Sequence, residues 1–320
     1  MVLGKEFLTV EEQINCLVSK GLTVKNKKNV TETLFDHSYY DVINGYSDPF
    51  CKSRNPRQYK TGSSFDEIYA LYTFDVNMRW FLLKYILRIE ETLKTKVVYS
   101  FSGAKTSAGI LCNQRDAYLT PNSYDASSTS KSGPIDDLIK SLKDTLAVGQ
   151  QWNDSFQYYQ AHYHYVPLWV LATNMTFGGL SRFYECMPIS LRSEVAKEYG
   201  LFENDLRTML KVLTLFRNCC AHGGRFYSFK ETFSLPNIKY KGQTIIPENG
   251  CQKKFGAVLL CLKILLGSGD FTAVRNNLNN ELQILSKKLH SISVDDIVSC
   301  LGITPKMRVS FGIKTDPVKR

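Results

Sequence analysis

Residues Phe65–Phe101 read FDEIYALYTFDVNMRWFLLKYILRIEETLKTKVVYSF, and this stretch decides the fold. Tyr72, Met78, Leu82, Tyr85, Ile89, Leu93 and Val97 recur with a helical rhythm, and Leu83, Ile86 and Leu87 widen the apolar stripe. A helix so long, with so broad an apolar face, has to be covered by other helices. Two charged residues, Arg79 and Glu90, stand eleven positions apart. At about 100° per residue they differ by only about 20° around the axis, so they share a face that also holds Leu83 and Ile86. Asp75 and Arg79 have the i,i+4 spacing of a helical ion pair.

Outward from this stretch, most of the chain also reads as helix. Thr9 with Glu11 and Glu12 opens a short capped helix that ends at Gly21, and a second segment covers 25–44. Residues 47–63 are rich in Pro, Gly, Ser and basic side chains and read as a loop. Residues 102–134, with their Ser-rich stretch 123–134, read as a flexible insertion. Helical pattern resumes over 135–151 and 152–163, then over 180–187 and 191–199. The run capped by Asn204-Asp205 carries Leu206, Leu210, Leu213 and Phe216 on one stripe and stops at Gly223-Gly224. Residues 229–251 are irregular and leave room for a small β-hairpin. Helices over 253–266, 272–290 and 294–301 precede a basic tail with Lys306, Arg308, Lys314, Lys319 and Arg320. The expected architecture is an all-α bundle. It divides into an N-terminal helical segment, 1–64, a helical core, 65–230, and C-terminal helices with the tail, 231–320.

Composition narrows the function. A chain of 320 residues with 43% hydrophobic content has enough apolar matter for one large core or two modest ones. The formal charge of +10 favours an anionic partner, nucleic acid or acidic membrane, without choosing between these and a generally basic soluble protein. Nine scattered Cys with no CxxC spacing point to reduced thiols and to neither disulfides nor zinc. No signal peptide is recognisable, and the longest apolar run, 255–267, is interrupted by Lys263 and too short to span a bilayer. A cytoplasmic protein without a membrane role is expected. No P-loop, GxSxG, carboxylate cluster for Mg2+ or nucleotidyltransferase signature is present, so no cofactor is implied.

The chemistry-bearing stretch is Arg217-Asn218-Cys219-Cys220-Ala221-His222, at the end of a helical run and followed by Gly223-Gly224-Arg225. A guanidinium can hold phosphate oxygens in bidentate fashion, and an imidazole can act as general acid or base near neutral pH. Asn218 and His222, at i,i+4, share a helix face, whereas Arg217 and His222 lie about 140° apart on an ideal helix. They converge only if the Arg side chain wraps round or the helix loosens before the glycines. Cleavage of RNA by its own 2′-hydroxyl needs a base, an acid and charge stabilisation on the nonbridging oxygens. One His does not readily serve as both acid and base; two copies can, which implies a symmetric dimer with a composite site. The bland reading is an exposed Arg and a His that complements the helix dipole.

The hexapeptide resembles the RNxxxH motif of HEPN (higher eukaryotes and prokaryotes nucleotide-binding) ribonuclease domains. More of the chain is similar to the Abi family of bacterial abortive-infection proteins, AbiD/AbiF type. The resemblance runs from Leu17-Val18-Ser19-Lys20-Gly21-Leu22 through His37–Tyr46, then Tyr72–Arg79 with Ile89-Glu90. It continues at Trp169, Thr176–Ser181, the hexapeptide and Leu301-Gly302-Ile303, so residues 17 to 305 are covered in order. It implies a HEPN-like helical bundle acting as a metal-independent ribonuclease in phage defence or as a toxin, with products carrying a 2′,3′-cyclic phosphate. Arg217, Asn218 and His222 would form the site, with Arg79 and Glu90 facing it across the bundle or simply forming an ion-pair network. The expected partners are RNA, a second copy of the chain, and a small RNA or an antitoxin protein that holds the toxin silent. Two features depart from the family: the Ser-rich expansion, and Gly223-Gly224-Arg225 where a second His or basic residue often follows the motif.

The rival reading is a non-catalytic RNA-binding or scaffold protein that uses the motif for dimerisation or phosphate contact. His162-Tyr163-His164 lacks an acidic or Cys residue at ligand spacing and does not read as zinc-binding. Tyr158, Tyr159, Tyr163 and Tyr165 read as core or interface residues, or as stacking surfaces for unpaired bases.

Overall fold

The computed structural model describes residues 7–104, 115–125 and 133–315. The chain forms α1 (Val10–Ser19), α2 (Lys27–Asp36), strands β1 (Cys51–Arg54) and β2 (Arg57–Tyr59), and the long α3 (Phe65–Gly103). After it come α4 (Gly133–Trp152), α5 (Asp154–Tyr163), α6 (Leu168–Leu171), α7 (Phe177–Cys186), α8 (Ile189–Lys197) and α9 (Glu203–Ala221). Strands β3 (Ile238–Tyr240) and β4 (Gln243–Ile245) lead to α10 (Phe255–Leu265), α11 (Ser268–Ser286), α12 (Val294–Cys300) and α13 (Pro305–Phe311). The fold is mostly α, with two small antiparallel two-stranded sheets, β1–β2 and β3–β4.

The spine is α3, against which α6, α8, α9, α10 and α11 pack. Its start is fixed by a capping box: Ser64 Oγ accepts from the Glu67 amide, and Glu67 Oε2 accepts from the Ser64 amide. The second oxygen of Glu67 accepts from the His290 and Ser291 amides, both at 2.7 Å, and from the Ser291 hydroxyl. One buried carboxylate thus starts the longest helix and ties the segment after α11 to it. The apolar run 255–265 becomes α10, buried on nearly every side, as a helix inside a core should be. Among the described residues no helix is long and apolar enough to cross a membrane.

Several boundaries differ from the sequence reading for identifiable reasons. The segment 25–44 breaks at His37, whose extended backbone and ring contact with Tyr72 separate α2 from a π-turn at Tyr40–Asn44. Within the expected loop 47–63 lies the β1–β2 hairpin, too short to show an alternating pattern. Asp205 does not cap α9, which starts at Glu203; its carboxylate accepts from the Lys239 amide at 3.1 Å and so docks the β3–β4 hairpin. That hairpin falls where the irregular stretch 229–251 left room for one. α11 begins at Ser268, four residues earlier than expected, with Asp270, an acid suited to a helix's first turn, paired with Arg88 of α3 at 2.7 Å. Of the stretch read as a flexible insertion, residues 105–114 and 126–132 lie outside the described residues; 115–125 carry two buried tyrosines, Tyr118 and Tyr124. In the basic tail, Lys306 and Arg308 belong to α13, anchored by Met307 and Phe311, and 316–320 lie outside the described residues.

Candidate active site

The hexapeptide forms the last turn of α9. Cys219 and Cys220 point into the core, each 7% exposed, and their neighbours Asn218, Ala221 and His222 are exposed. Arg217 is half-buried, its Nη1 3.5 Å from Asn218 Oδ1 and its Nε proton buried without an acceptor. His222 is the C-cap residue, with its amide bonded to the Asn218 carbonyl. Gly223 follows at φ +71°, and the Gly224 amide closes the helix on the Cys219 carbonyl at 2.8 Å. A Cβ on Gly224 would lie 2.7 Å from Cys219 Sγ, so the glycine pair both turns the chain and lets it lie flat on the helix end. Burial pushes both thiols up to about 12, so they act as packing groups and not as nucleophiles.

What holds this turn is Asp75 of α3, fully buried. Its Oδ1 accepts from the Tyr227 amide at 2.6 Å; its Oδ2 accepts from the Phe226 amide at 3.2 Å and the Tyr46 hydroxyl at 2.8 Å. Arg79 Nε lies 3.1 Å from Oδ2, an ion pair whose N–H is not aimed at the oxygen, so that proton also lacks an acceptor. Burial raises the Asp75 carboxyl to about 6, against the pull of these donors and of Arg79; at neutral pH it is mostly ionised. The Arg79 guanidinium reaches the turn itself, with Nη1 3.5 Å from the Cβ position of Gly223.

Three distant stretches therefore meet at one helix end. His37 touches the Tyr72 hydroxyl at 3.2 Å, and Tyr46 stacks edge-on against Tyr72 and tilted against Tyr227. Arg225 Nη1 donates to the Asn44 carbonyl, and the Tyr227 hydroxyl donates to the Gly45 carbonyl. Arg79 pairs with the buried carboxylate and reaches the turn that follows His222, while Arg217 and Arg225 lie on either side of that turn in the chain, an excess of positive charge suited to an anionic group. Among the described residues no cluster of three or more His, Cys, Asp or Glu is arranged to hold a metal ion.

A family model described as Abi-like protein matches residues 32–228, more than half of the chain. The chain belongs to the Abi-like protein family. Membership supports a role in defence against phage. No curated protein and no solved structure matches. The match ends at Ser228, one residue after Tyr227, so it takes in both the α9 end and its Asp75 clamp.

In this Abi-like protein the expected site residues divide into two groups. Arg217, Asn218 and His222 share the exposed helix end, and Arg79 reaches the same turn. Glu90 lies about 16 Å further along α3 from Arg79 and pairs with Lys94 at 2.9 Å. Sharing a helix face did not bring Arg79 and Glu90 together. Asp75, Tyr46 and Tyr227 carry the clamp and are not among the expected site residues; the sequence signals were the i,i+4 spacing of Asp75 and Arg79 and the place of Tyr46 and Asp75 in stretches that carry the family resemblance. Behind the motif, Glu231 is 3% exposed, with both carboxyl oxygens unpartnered among the described residues. Burial alone raises it to about 8. His162 stacks on Tyr158 and contacts that residue's carbonyl at 2.9 Å.

Proposed function

We propose that the exposed end of α9 is the active site of a metal-independent endoribonuclease of HEPN type, acting in phage defence. Carrying this reading is the placement of Arg217, Asn218 and His222 in the last turn of α9, with Arg79 reaching the same turn, which the buried Asp75 clamp ties to α3. Arg217, half-buried in the last turn of α9, carries the positive charge that neutralises the nonbridging oxygens of a phosphodiester, and Arg79, whose Nη1 reaches the same turn, adds to it. His222 moves a proton, either from the 2′-hydroxyl or to the 5′-oxygen leaving group. Asn218, in contact with Arg217, orients that guanidinium. A second copy of the chain supplies the other imidazole, so that one acts as base and the other as acid across a two-fold axis. Asp75 touches no substrate and is a positioning residue; Glu90, paired with Lys94, is assigned no step.

The test is incubation of purified wild-type, Arg217→Ala and His222→Ala proteins with total RNA in excess chelator. Cleavage by the wild type alone is expected. A wild type that cuts only when divalent metal is restored overturns the mechanism. A His222→Ala protein with undiminished biological effect favours the rival, non-catalytic RNA-binding reading.

A further inference from the structure

At the opposite end of α9, about 28 Å from the motif along the 19-residue helix, lies a second concentration of positive charge. A cavity of about 740 Å3 opens between the last turn of α8, the β3–β4 turn and the junction of α10 with α11. Lys197, Lys241 and Lys263 line it, one from each of these elements. Among the described residues the ion-paired lysines are Lys28, Lys94, Lys96 and Lys211, so none of these three has a carboxylate partner. The one lining carboxylate, Glu198, is taken by Lys96. Lys263 rests over the Phe311 ring at 4.5 Å and Lys241 over the Tyr240 ring at 5.3 Å, which fixes their stems. The Lys241 amide donates to the Gly200 carbonyl at 2.9 Å, so the hairpin turn is docked and not free to swing away.

Three lysines without carboxylate partners around one concavity give it a positive field that favours an anion. The cavity offers such a ligand further contacts. Its floor includes the start of α11, where N-cap Gly267 has no side chain to satisfy the first-turn amides. Tyr199, Tyr240 and Phe271 add aromatic surface. The size is that of an ordinary small-molecule site, roughly 300–1,000 Å3. We infer that this cavity binds a nucleotide, its phosphate held by Lys197, Lys241 and Lys263 and its base lying against the aromatic wall. The nucleotide comes either free or as one unit of an RNA strand. The site stands apart from the motif and does not rest on the nuclease reading.

The test uses the full chain carrying His222→Ala, so that no strand is cut, with two probes: adenosine monophosphate by equilibrium dialysis and a short oligouridylate by fluorescence anisotropy. Saturable binding of at least one probe is expected, weakened about tenfold or more by Lys241→Glu with Lys263→Glu. The control pair Lys287→Glu with Lys288→Glu, on the segment after α11, should leave it unchanged. Lys197→Gln, at an exposed position with no packing to lose, should weaken it in the same direction. Binding of the mononucleotide alone identifies a free nucleotide as the ligand, and binding of the oligomer alone identifies a strand. The inference is overturned if neither probe binds saturably, or if the control pair weakens binding as much as the cavity pair.

Discussion

Replacing Glu231 with Gln should stabilise the protein, and only above mildly acidic pH. The side chain is 3% exposed and neither carboxyl oxygen has a hydrogen-bond partner. Burial lifts its carboxyl to about 8 in the folded state. In the unfolded chain a Glu titrates near 4.3. A folded pKa above the unfolded one means that the native state holds the proton more tightly. Stability is therefore lost as pH rises from about 4.3 to about 8, and the loss levels off beyond. At about 1.4 kcal/mol per pH unit that range amounts to about 5 kcal/mol. Water entry and local relaxation around a buried charge return part of it, leaving about 2–3 kcal/mol. Glutamine has nearly the shape of the protonated acid and keeps the neutral form at every pH. Urea unfolding near pH 3.5, below the unfolded value, should give equal stabilities for wild type and variant. Near pH 8 the variant should be more stable by about 2–3 kcal/mol. Parallel pH dependences, or a variant less stable near pH 8, would refute the reasoning, because both require that the carboxylate finds partners in solution.

Asp75→Ala should leave two buried amides, the Tyr46 hydroxyl and Arg79 without their shared acceptor. A loss of about 3–5 kcal/mol in urea unfolding is expected, with RNA cleavage reduced even where the variant is fully folded; wild-type stability would remove Asp75 as the clamp. Cys219 and Cys220, buried and with their thiols pushed up to about 12, should resist iodoacetamide in the native protein and react after unfolding. Mass spectrometry of the labelled peptides reads this, and rapid native labelling would mean that the α9 end opens.

The helices that form the frame were legible because their signals are local. The stretch Phe65–Phe101 marked α3 to within two residues of its end at Gly103, and the leucines up to Phe216 with Gly223-Gly224 marked α9 and its stop. The exposure of Asn218 and His222 followed from the same pattern, since the cysteines between them complete the apolar face. What escaped was long-range. Asp75 accepts amides 151 and 152 positions further along the chain, and no periodicity announces such a contact. Glu67, in the first turn of α3, accepts from the amides of residues 290 and 291, which stand 223 and 224 positions further along the chain. Glu90 shows that angular position on a helix says nothing about axial distance: it shares a face with Arg79 yet pairs with Lys94, one turn away, in keeping with the ion-pair alternative.

The most direct test of the Arg217–His222 site is a defined RNA oligomer that the wild type cuts in chelator, compared with the same oligomer blocked by a 2′-O-methyl group at the scissile nucleotide. Attack by the neighbouring 2′-hydroxyl predicts a 2′,3′-cyclic phosphate and a 5′-hydroxyl at the cut in the first, and no cleavage at the blocked linkage in the second. Cleavage at the methylated position, or a 5′-phosphate on the product, would contradict it.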